Sequence, residues 1–350
     1  MRCLLLLTLA ACGRIDFDPR HDAGVDATSD AVAPRCTEGW LDVPGPRVYG
    51  YRVTRIRDGF AIVATDAGST FVLFVVHDDL TVEPARALQI SQIGSLYGVA
   101  STDDVVRVAW TEVVPTTYHV GEFALDGTML SARLTPQLGV TSSSGLDLAV
   151  ATGTMAGTID VWGIDATGTV TPVHVLTTAS TSPSAVARTS NGFTGAWTAG
   201  TAHYLTAIDD GGTITVADRM IGDGSSMSLA WTGQRHVVVR QDVPSALIAA
   251  VYDANLDLVG GPTTLAITGW SGWTMAWNGT DIGGVGFANI VGVRDLRFGI
   301  IQSDSTLGET VGFGDGMANV LTGPSIAAGP GRFAMVWNAD QQLRFAVACR

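Results

Sequence analysis

Lysine is missing from this 350-residue chain, whose 20 basic residues are all arginine. Chemistry that needs a lysine amine, such as Schiff-base formation or phosphate binding by a P-loop, is therefore excluded. Glutamate is also scarce, with 5 residues against 28 aspartates. Because the net charge is −13, the chain lacks the excess of clustered cations that a nucleic-acid-binding protein needs.

Good helix formers are under-represented, whereas 42 glycines and many valines and threonines are present, which argues against a mainly helical protein. No apolar run approaches the ~18–20 residues of a membrane-spanning helix. The spacings of zinc sites and serine hydrolases, such as CxxC, HExxH and GxSxG, are absent. We therefore expect no metal and no cofactor, and the motifs identify no catalytic residue.

The first twelve residues carry a targeting signal. Met1-Arg2 is a short positive start, residues 4–9 are mostly leucine, and the segment ends in Leu9-Ala10-Ala11-Cys12. It resembles the lipobox of bacterial lipoproteins, which implies removal of residues 1–11 and lipidation of Cys12. An ordinary secretory signal cut elsewhere, or a buried N-terminal strand, is the alternative. Gly13, in place of an aspartate, favours the outer membrane of the cell envelope.

Residues 12–35 are rich in Asp, Ala and Pro and have no hydrophobic period. This composition is typical of a disordered tether, here between a membrane anchor at Cys12 and a folded domain over residues 36–350. We expect that domain to be a monomer. It contains two cysteines, Cys36 and Cys349. An even number of cysteines in an exported domain is typical of disulfide bonding.

Internal similarity with a period of about 45 residues extends over residues 50–350. Apolar second-strand segments begin at Phe60, Val106, Leu146, Phe193, His236, Ile282 and Phe333. Strands ending in aspartate turns follow the first six, at Asp78, Asp126, Asp165, Asp209, Asp253 and Asp304. Four strands in each of seven repeats predict an all-β, seven-bladed β-propeller of four-stranded blades. Tandem β-sandwich domains are the alternative.

The seventh repeat lacks its aspartate turn and its outer strand. Residues 40–43, before the first blade, can supply that strand, as in propellers closed by pairing of the N- and C-terminal strands. A disulfide between Cys36 and Cys349 would then lie where the other blades have a turn. The repeat phase and the cysteine positions thus predict the same closure.

Two tryptophans are the best candidates for ligand binding. Trp270 and Trp273 interrupt the repeat pattern and are assigned to the linker between the fifth and sixth blades. The expected strand order places them on one face with Glu112, Arg240 and Asp242. Aromatic plates with polar neighbours suit a sugar or a peptide. Packing between blades is the alternative role of these two tryptophans.

Two functions of different classes remain open. The first is an envelope-anchored lipoprotein whose propeller is a non-catalytic binding or interaction module for protein or glycan. The second is an exported polysaccharide-acting hydrolase or lyase with its site over the central channel. Acids and arginines that converge on the channel would favour the enzyme, whereas small and apolar residues would favour the binding module.

Overall fold

Antiparallel strands form seven separate four-stranded sheets in the computed structural model of the chain. The structure describes residues 36–37, 40–90, 93–113, 115–144, 147–154, 158–177, 182–242, 246–265, 270–290, 293–302, 304–313, 323–339 and 341–349. The predicted signal, Cys12 and the tether lie outside the described residues. Within them there is no helix long and apolar enough to cross a membrane.

The strands of each blade follow one another along the chain, and they are named A to D from the innermost to the outermost. The first strand, β1 (Leu41–Asp42), belongs to the last blade. Blade 1 contains β2 (Val48–Ile56), β3 (Gly59–Asp66), β4 (Phe71–His77) and β5 (Arg86–Ala87); blade 2 contains β6 (Ile93–Ser101), β7 (Val105–Val113), β8 (Thr116–Ala124) and β9 (Met129–Leu134); blade 3 contains β10 (Val140–Ser144), β11 (Asp147–Gly153), β12 (Thr158–Ile164) and β13 (His174–Thr177).

The later blades repeat this order. Blade 4 contains β14 (Ser182–Thr189), β15 (Gly192–Ala199), β16 (Ala202–Asp209) and β17 (Ile214–Asp223); blade 5 contains β18 (Ser226–Trp231), β19 (His236–Gln241), β20 (Leu247–Tyr252) and β21 (Leu258–Leu265). Blade 6 contains β22 (Trp270–Trp277), β23 (Ile282–Ile290), β24 (Val293–Ile301) and β25 (Leu307–Gly312); blade 7 contains β26 (Ser325–Gly329), β27 (Arg332–Ala339) and β28 (Gln342–Cys349), with β1 outermost.

The A strands form a closed ring. Each of them contacts the A strand of the next blade, and β26 of blade 7 contacts β2 of blade 1. At that junction the Tyr51 hydroxyl donates to the Gly323 carbonyl over 3.0 Å, and the Val53 amide donates to Ser325 Oγ over 3.2 Å. The predicted seven-bladed propeller is therefore confirmed.

The predicted repeat starts fall on the B strands, with one error of register. The residue equivalent to Phe60 in blade 3 is Leu148, because each pairs with the residue just before a C–D turn: Phe60 with Val76, and Leu148 with Ile164. Leu146 was the predicted residue and lies outside the described residues. Because side chains alternate along a strand, the Leu-x-Leu pattern does not distinguish the two positions.

Six C–D turns share one backbone geometry. In each five-residue turn the first amide donates to the fifth carbonyl, and the fourth amide donates to the first carbonyl. The fourth residue has a φ of 60–88°: Leu80, Gly127, Gly168, Gly212, Leu256 and Ser305. Leucine rarely adopts this conformation, but Leu256 is fully buried, so its packing offsets the strain.

The predicted aspartates all lie in these turns, but not at one position. Asp165, Asp209 and Asp253 are first residues, Asp126 and Asp304 are third, and Asp78 is second. Most of them serve the turn itself. Asp165 Oδ1 accepts the Thr169 amide over 2.9 Å, and Asp209 Oδ1 accepts the Thr213 amide over 2.8 Å. The predicted aspartates other than Asp78 are thus hairpin residues, since each accepts from an amide of its own turn. Asp78 instead pairs with Arg55 and Arg332.

Blade 7 is closed by the two ends of the domain. β1 pairs with β28 in the register Leu41↔Phe345, and the Thr37 amide donates to the Val347 carbonyl over 3.0 Å. Cys36 and Cys349 form a disulfide with a Cα–Cα distance of 5.6 Å. Cys349 pairs with Arg332 and so takes the place of the first residue of a C–D turn. The predicted closure is confirmed, and the disulfide is typical of an extracytoplasmic protein.

Candidate functional site

The two ends of the channel differ because adjacent A strands run in the same direction. Thr54 and Ser101, near the ends of β2 and β6, share a 2.7 Å hydrogen bond. All A–B and C–D turns therefore lie on one face, here called the turn face. The A strands begin on the opposite face, here called the entry face. Cys36 lies beside Cys349, where a C–D turn would be, so the chain enters the propeller at the turn face.

β-Bulges mark the entry face. Four of the seven A strands, β2, β6, β14 and β22, have a register shift in the half where the strand begins. A bulge redirects a side chain out of the regular alternation, and bulges are common beside binding sites. In β2 the bulge falls at Tyr49, whose side chain is 44% exposed. The entry face is therefore where most exposed side chains of the inner strands lie.

Exposed side chains on the A strands are small and polar, apart from one tyrosine and one arginine. Within the described residues, this channel lining consists of Tyr49, Arg52, Ser95, Ser182 and Ser226, while a further exposed residue, Ser143, lies beside an A–B turn at the turn face. The A strands themselves contain no aspartate or glutamate. The sequence analysis expected converging acids and arginines for an enzyme, and small apolar residues for a binding module. The lining has no acids and is hydroxylic rather than apolar, so it matches neither expectation fully.

Arg52 is held by backbone carbonyls of two blades. Its Nε donates to the Tyr97 carbonyl over 3.3 Å and its Nη1 to the Tyr51 carbonyl over 2.8 Å. The Tyr97 carbonyl also accepts Thr141 Oγ1 from blade 3 over 3.0 Å. Gly98 makes this approach possible, since a Cβ there would lie 2.5 Å from Thr141 Oγ1. Three blades therefore contribute to the position of the Arg52 guanidinium. The residue types and their spacing in the sequence do not indicate this arrangement.

Trp270 and Trp273 lie on the A strand β22, not in a linker, which corrects the predicted assignment. The side chain of Trp270 lies outside the described residues. The half-buried Trp273 packs against the apolar cluster between blades 5 and 6, and its ring occupies the space where Gly284 has no Cβ. Its carbonyl accepts Ser228 Oγ from blade 5 over 2.7 Å. The contacts of Trp273 are thus those of inter-blade packing.

Arg240 occupies a packing position. It is the fifth residue of its repeat segment, as are Trp110, Trp197 and Trp337 in theirs, and those three rings are buried. The Arg240 side chain is 13% exposed, and its Nη1 donates to the Asp223 carbonyl and lies 3.8 Å from Asp242 Oδ2. We conclude that Arg240 mainly joins blades 4 and 5, with Asp242 beside it.

Glu112 is separate from these residues. It ends β7 in blade 2, and its Oε2 lies 3.4 Å from His119 Nε2 on the neighbouring strand. Glu122, the other glutamate of this blade, pairs with Arg107, five residues before Glu112 on β7 and thus about 17 Å away. The two glutamates do not face one bond, as paired-carboxylate hydrolysis requires.

Two histidines are buried, and one of them, His236, joins blades 4 and 5. His236 Nδ1 donates to the Asp253 carbonyl at 3.2 Å, and its Nε2 accepts the Thr194 hydroxyl at 2.7 Å. Desolvation lowers the pKa of His236 to about 4, so it is neutral at pH 7. Desolvation, followed by the charge of Arg240, also lowers the pKa of His203. Among the described residues, no three His, Cys, Asp or Glu side chains are grouped to hold a metal ion.

Comparison with solved structures finds the same fold in a lectin. BP39L lectin from Burkholderia pseudomallei superposes with a TM-score of 0.62 at 10% sequence identity, over 86% of this chain and 96% of the lectin chain. The β-propeller domain of the Trilobed protease from Pyrococcus furiosus gives a TM-score of 0.46 at 12% identity, over 71% of this chain and 80% of that one. No family model and no curated protein sequence matches the chain. At these identities the likeness concerns the fold alone.

Proposed function

We propose that this protein is a lipid-anchored binding module of the bacterial cell envelope, whose propeller binds a glycan at its entry face. One observation carries the proposal. The chain enters the propeller at the turn face, while the bulged strands and the channel lining open on the opposite face. We place the ligand at that opposite face, where the channel lining is exposed.

The lining suits a sugar better than an apolar peptide. Serine hydroxyls both donate and accept hydrogen bonds, and sugar hydroxyls need both. Tyr49 adds an exposed ring on which a sugar can stack. The lectin whose fold this chain shares is named for sugar binding, which is consistent with the proposal. We therefore assign the binding role to the channel lining, in place of the five residues first predicted.

Binding is tested with the full-length protein on a glycan array. We expect the wild type to bind at least one glycan class and the Tyr49→Ser variant to bind about tenfold more weakly, because an aromatic contact is lost. Val113→Ser is the matched control, since Val113 is 57% exposed at the end of a B strand, outside the lining. Equal weakening of both variants, or no glycan bound by the wild type, contradicts the proposal.

Anchoring is tested by labelling cells with a fatty-acid analogue. We expect the Cys12→Ala variant to lose the label and to leave the membrane fraction, because the thiol that accepts the lipid is gone. Cys3→Ala is the control, since Cys3 lies in the predicted signal and its loss leaves the label in place. Label that persists in the Cys12→Ala variant refutes the lipid anchor at this residue.

A further inference from the structure

We propose that Arg52 binds the carboxylate of an acidic sugar, such as a uronic acid, that enters the channel from the entry face. This inference rests on the proposed glycan-binding function and specifies the class of glycan. Three observations support it: the position of the Arg52 guanidinium in the channel, its hydrogen bonds to two carbonyls, and the lack of a carboxylate within ion-pair distance among the described residues.

Arg52 differs from the other arginines of the A strands. Arg55 Nη1 lies 2.7 Å from Asp78, and Arg188 Nη1 lies 2.5 Å from Asp210, so both are neutralised by carboxylates of their own blades. Within the described residues, no carboxylate lies within ion-pair distance of Arg52. Among the described residues of the A strands, Arg52 is therefore the arginine that no carboxylate neutralises.

Hydrogen bonds fix the Arg52 guanidinium, and some of its N–H groups have no acceptor among the described residues. Its two hydrogen bonds to carbonyls fix the Nε and one hydrogen of Nη1. Of its five N–H donors, this leaves the Nη2 amino group without an acceptor among the described residues. An adjacent pair of guanidinium N–H groups matches the two oxygens of a carboxylate, and a held arginine loses little entropy on binding one.

The Arg52 side chain is exposed to solvent in the channel, but neighbouring protein atoms partly desolvate its charge. Its side chain belongs to the exposed channel lining, while desolvation by neighbouring atoms lowers its pKa below the ordinary value. The guanidinium remains charged at neutral pH, because arginine titrates far above it. A charge that is partly desolvated and not neutralised attracts an anion more strongly than a charge in bulk water.

Carboxylates lie at both faces of the propeller. Asp209 is in a C–D turn on the turn face, while Asp66 and Glu112 lie at the ends of B strands, at the entry face. The A strands themselves contain no carboxylate. An anionic glycan that reaches the channel therefore meets Arg52, Tyr49 and serine hydroxyls on these strands.

The test compares glucuronate with glucose, which lacks the carboxylate, by titrating each into the full-length protein. Binding is followed by calorimetry and by the NMR signals of the arginine Nε–H groups. We expect glucuronate to shift the Arg52 signal and to bind at least about tenfold more tightly than glucose. The Arg52→Gln variant should lose this preference. Arg47→Gln, which removes an exposed arginine bonded to Gln341 before β2, should keep it.

Each other result overturns the inference. Equal affinity of the Arg52→Gln variant and the wild type for glucuronate excludes Arg52 as the binding group, provided that both proteins melt at the same temperature. Binding of inorganic phosphate but of neither sugar identifies a general anion site. If glucose and glucuronate bind equally and the Tyr49→Ser variant binds neither, the glycan module stands and its acidic specificity is wrong. If neither sugar binds and the glycan array is empty, both proposals fail.

Discussion

Removal of the Cys36–Cys349 disulfide is expected to lower the free energy of unfolding by up to about 5 kcal/mol. The bond joins residues separated by 313 positions, so its loss frees a very long loop in the unfolded chain. The native fold should persist at ambient temperature, because β1 still pairs with β28 and the Thr37 amide still reaches Val347. Denaturant unfolding of the Cys36→Ser/Cys349→Ser variant measures the loss.

The reductant provides the control for this prediction. Wild-type protein unfolded with reductant should match the double variant, and the variant itself should not respond to reductant. A variant in which β1 is disrupted with the disulfide intact, such as Leu41→Pro, separates strand pairing from the covalent bond, since proline removes an amide and restricts the backbone. Unchanged unfolding midpoints in the double variant would show that strand pairing alone holds the ring closed.

Truncation of Trp273 is expected to destabilise the propeller by about 3 kcal/mol, on the scale of large-to-small substitutions in cores. The ring packs against the cluster between blades 5 and 6, and it fills the space left by Gly284. Trp273→Ala removes these contacts, and Trp273→Phe should restore part of the loss. Thermal and denaturant unfolding of the two variants give the free energies directly.

Gly284→Ala is the reciprocal variant. A Cβ at Gly284 would lie 2.0 Å from the Trp273 ring, so the ring must move and stability should fall even though no tryptophan is lost. Glycan binding by the folded Trp273→Ala protein should remain, because the channel lining does not include this residue. Lost binding with an unchanged unfolding midpoint would instead restore Trp273 as a ligand contact.

The architecture was predictable because it depends on information that repeats along the chain. The spacing of apolar segments predicted seven blades, and the phase of Cys36 and Cys349 against that spacing predicted the closure. Both arguments need only the period of the repeat and the alternation of a strand. The one error of register, Leu146 for Leu148, arose because the Leu-x-Leu pattern fits the alternation of a strand at either leucine.

The side chains that reach solvent could not be predicted in this way. Arg240 falls at a position where other blades place a buried tryptophan, and Trp273 is fitted against Gly284 of the neighbouring strand. The sequence did not identify Arg52 as a binding residue. Its hydrogen bonds go to carbonyls of two blades, and no described carboxylate lies within ion-pair distance of it, and both features depend on how the blades pack. Blade count and closure follow from a one-dimensional repeat. The exposure and the partners of a side chain follow from three-dimensional packing between blades, whose contacts join residues some 45 positions apart.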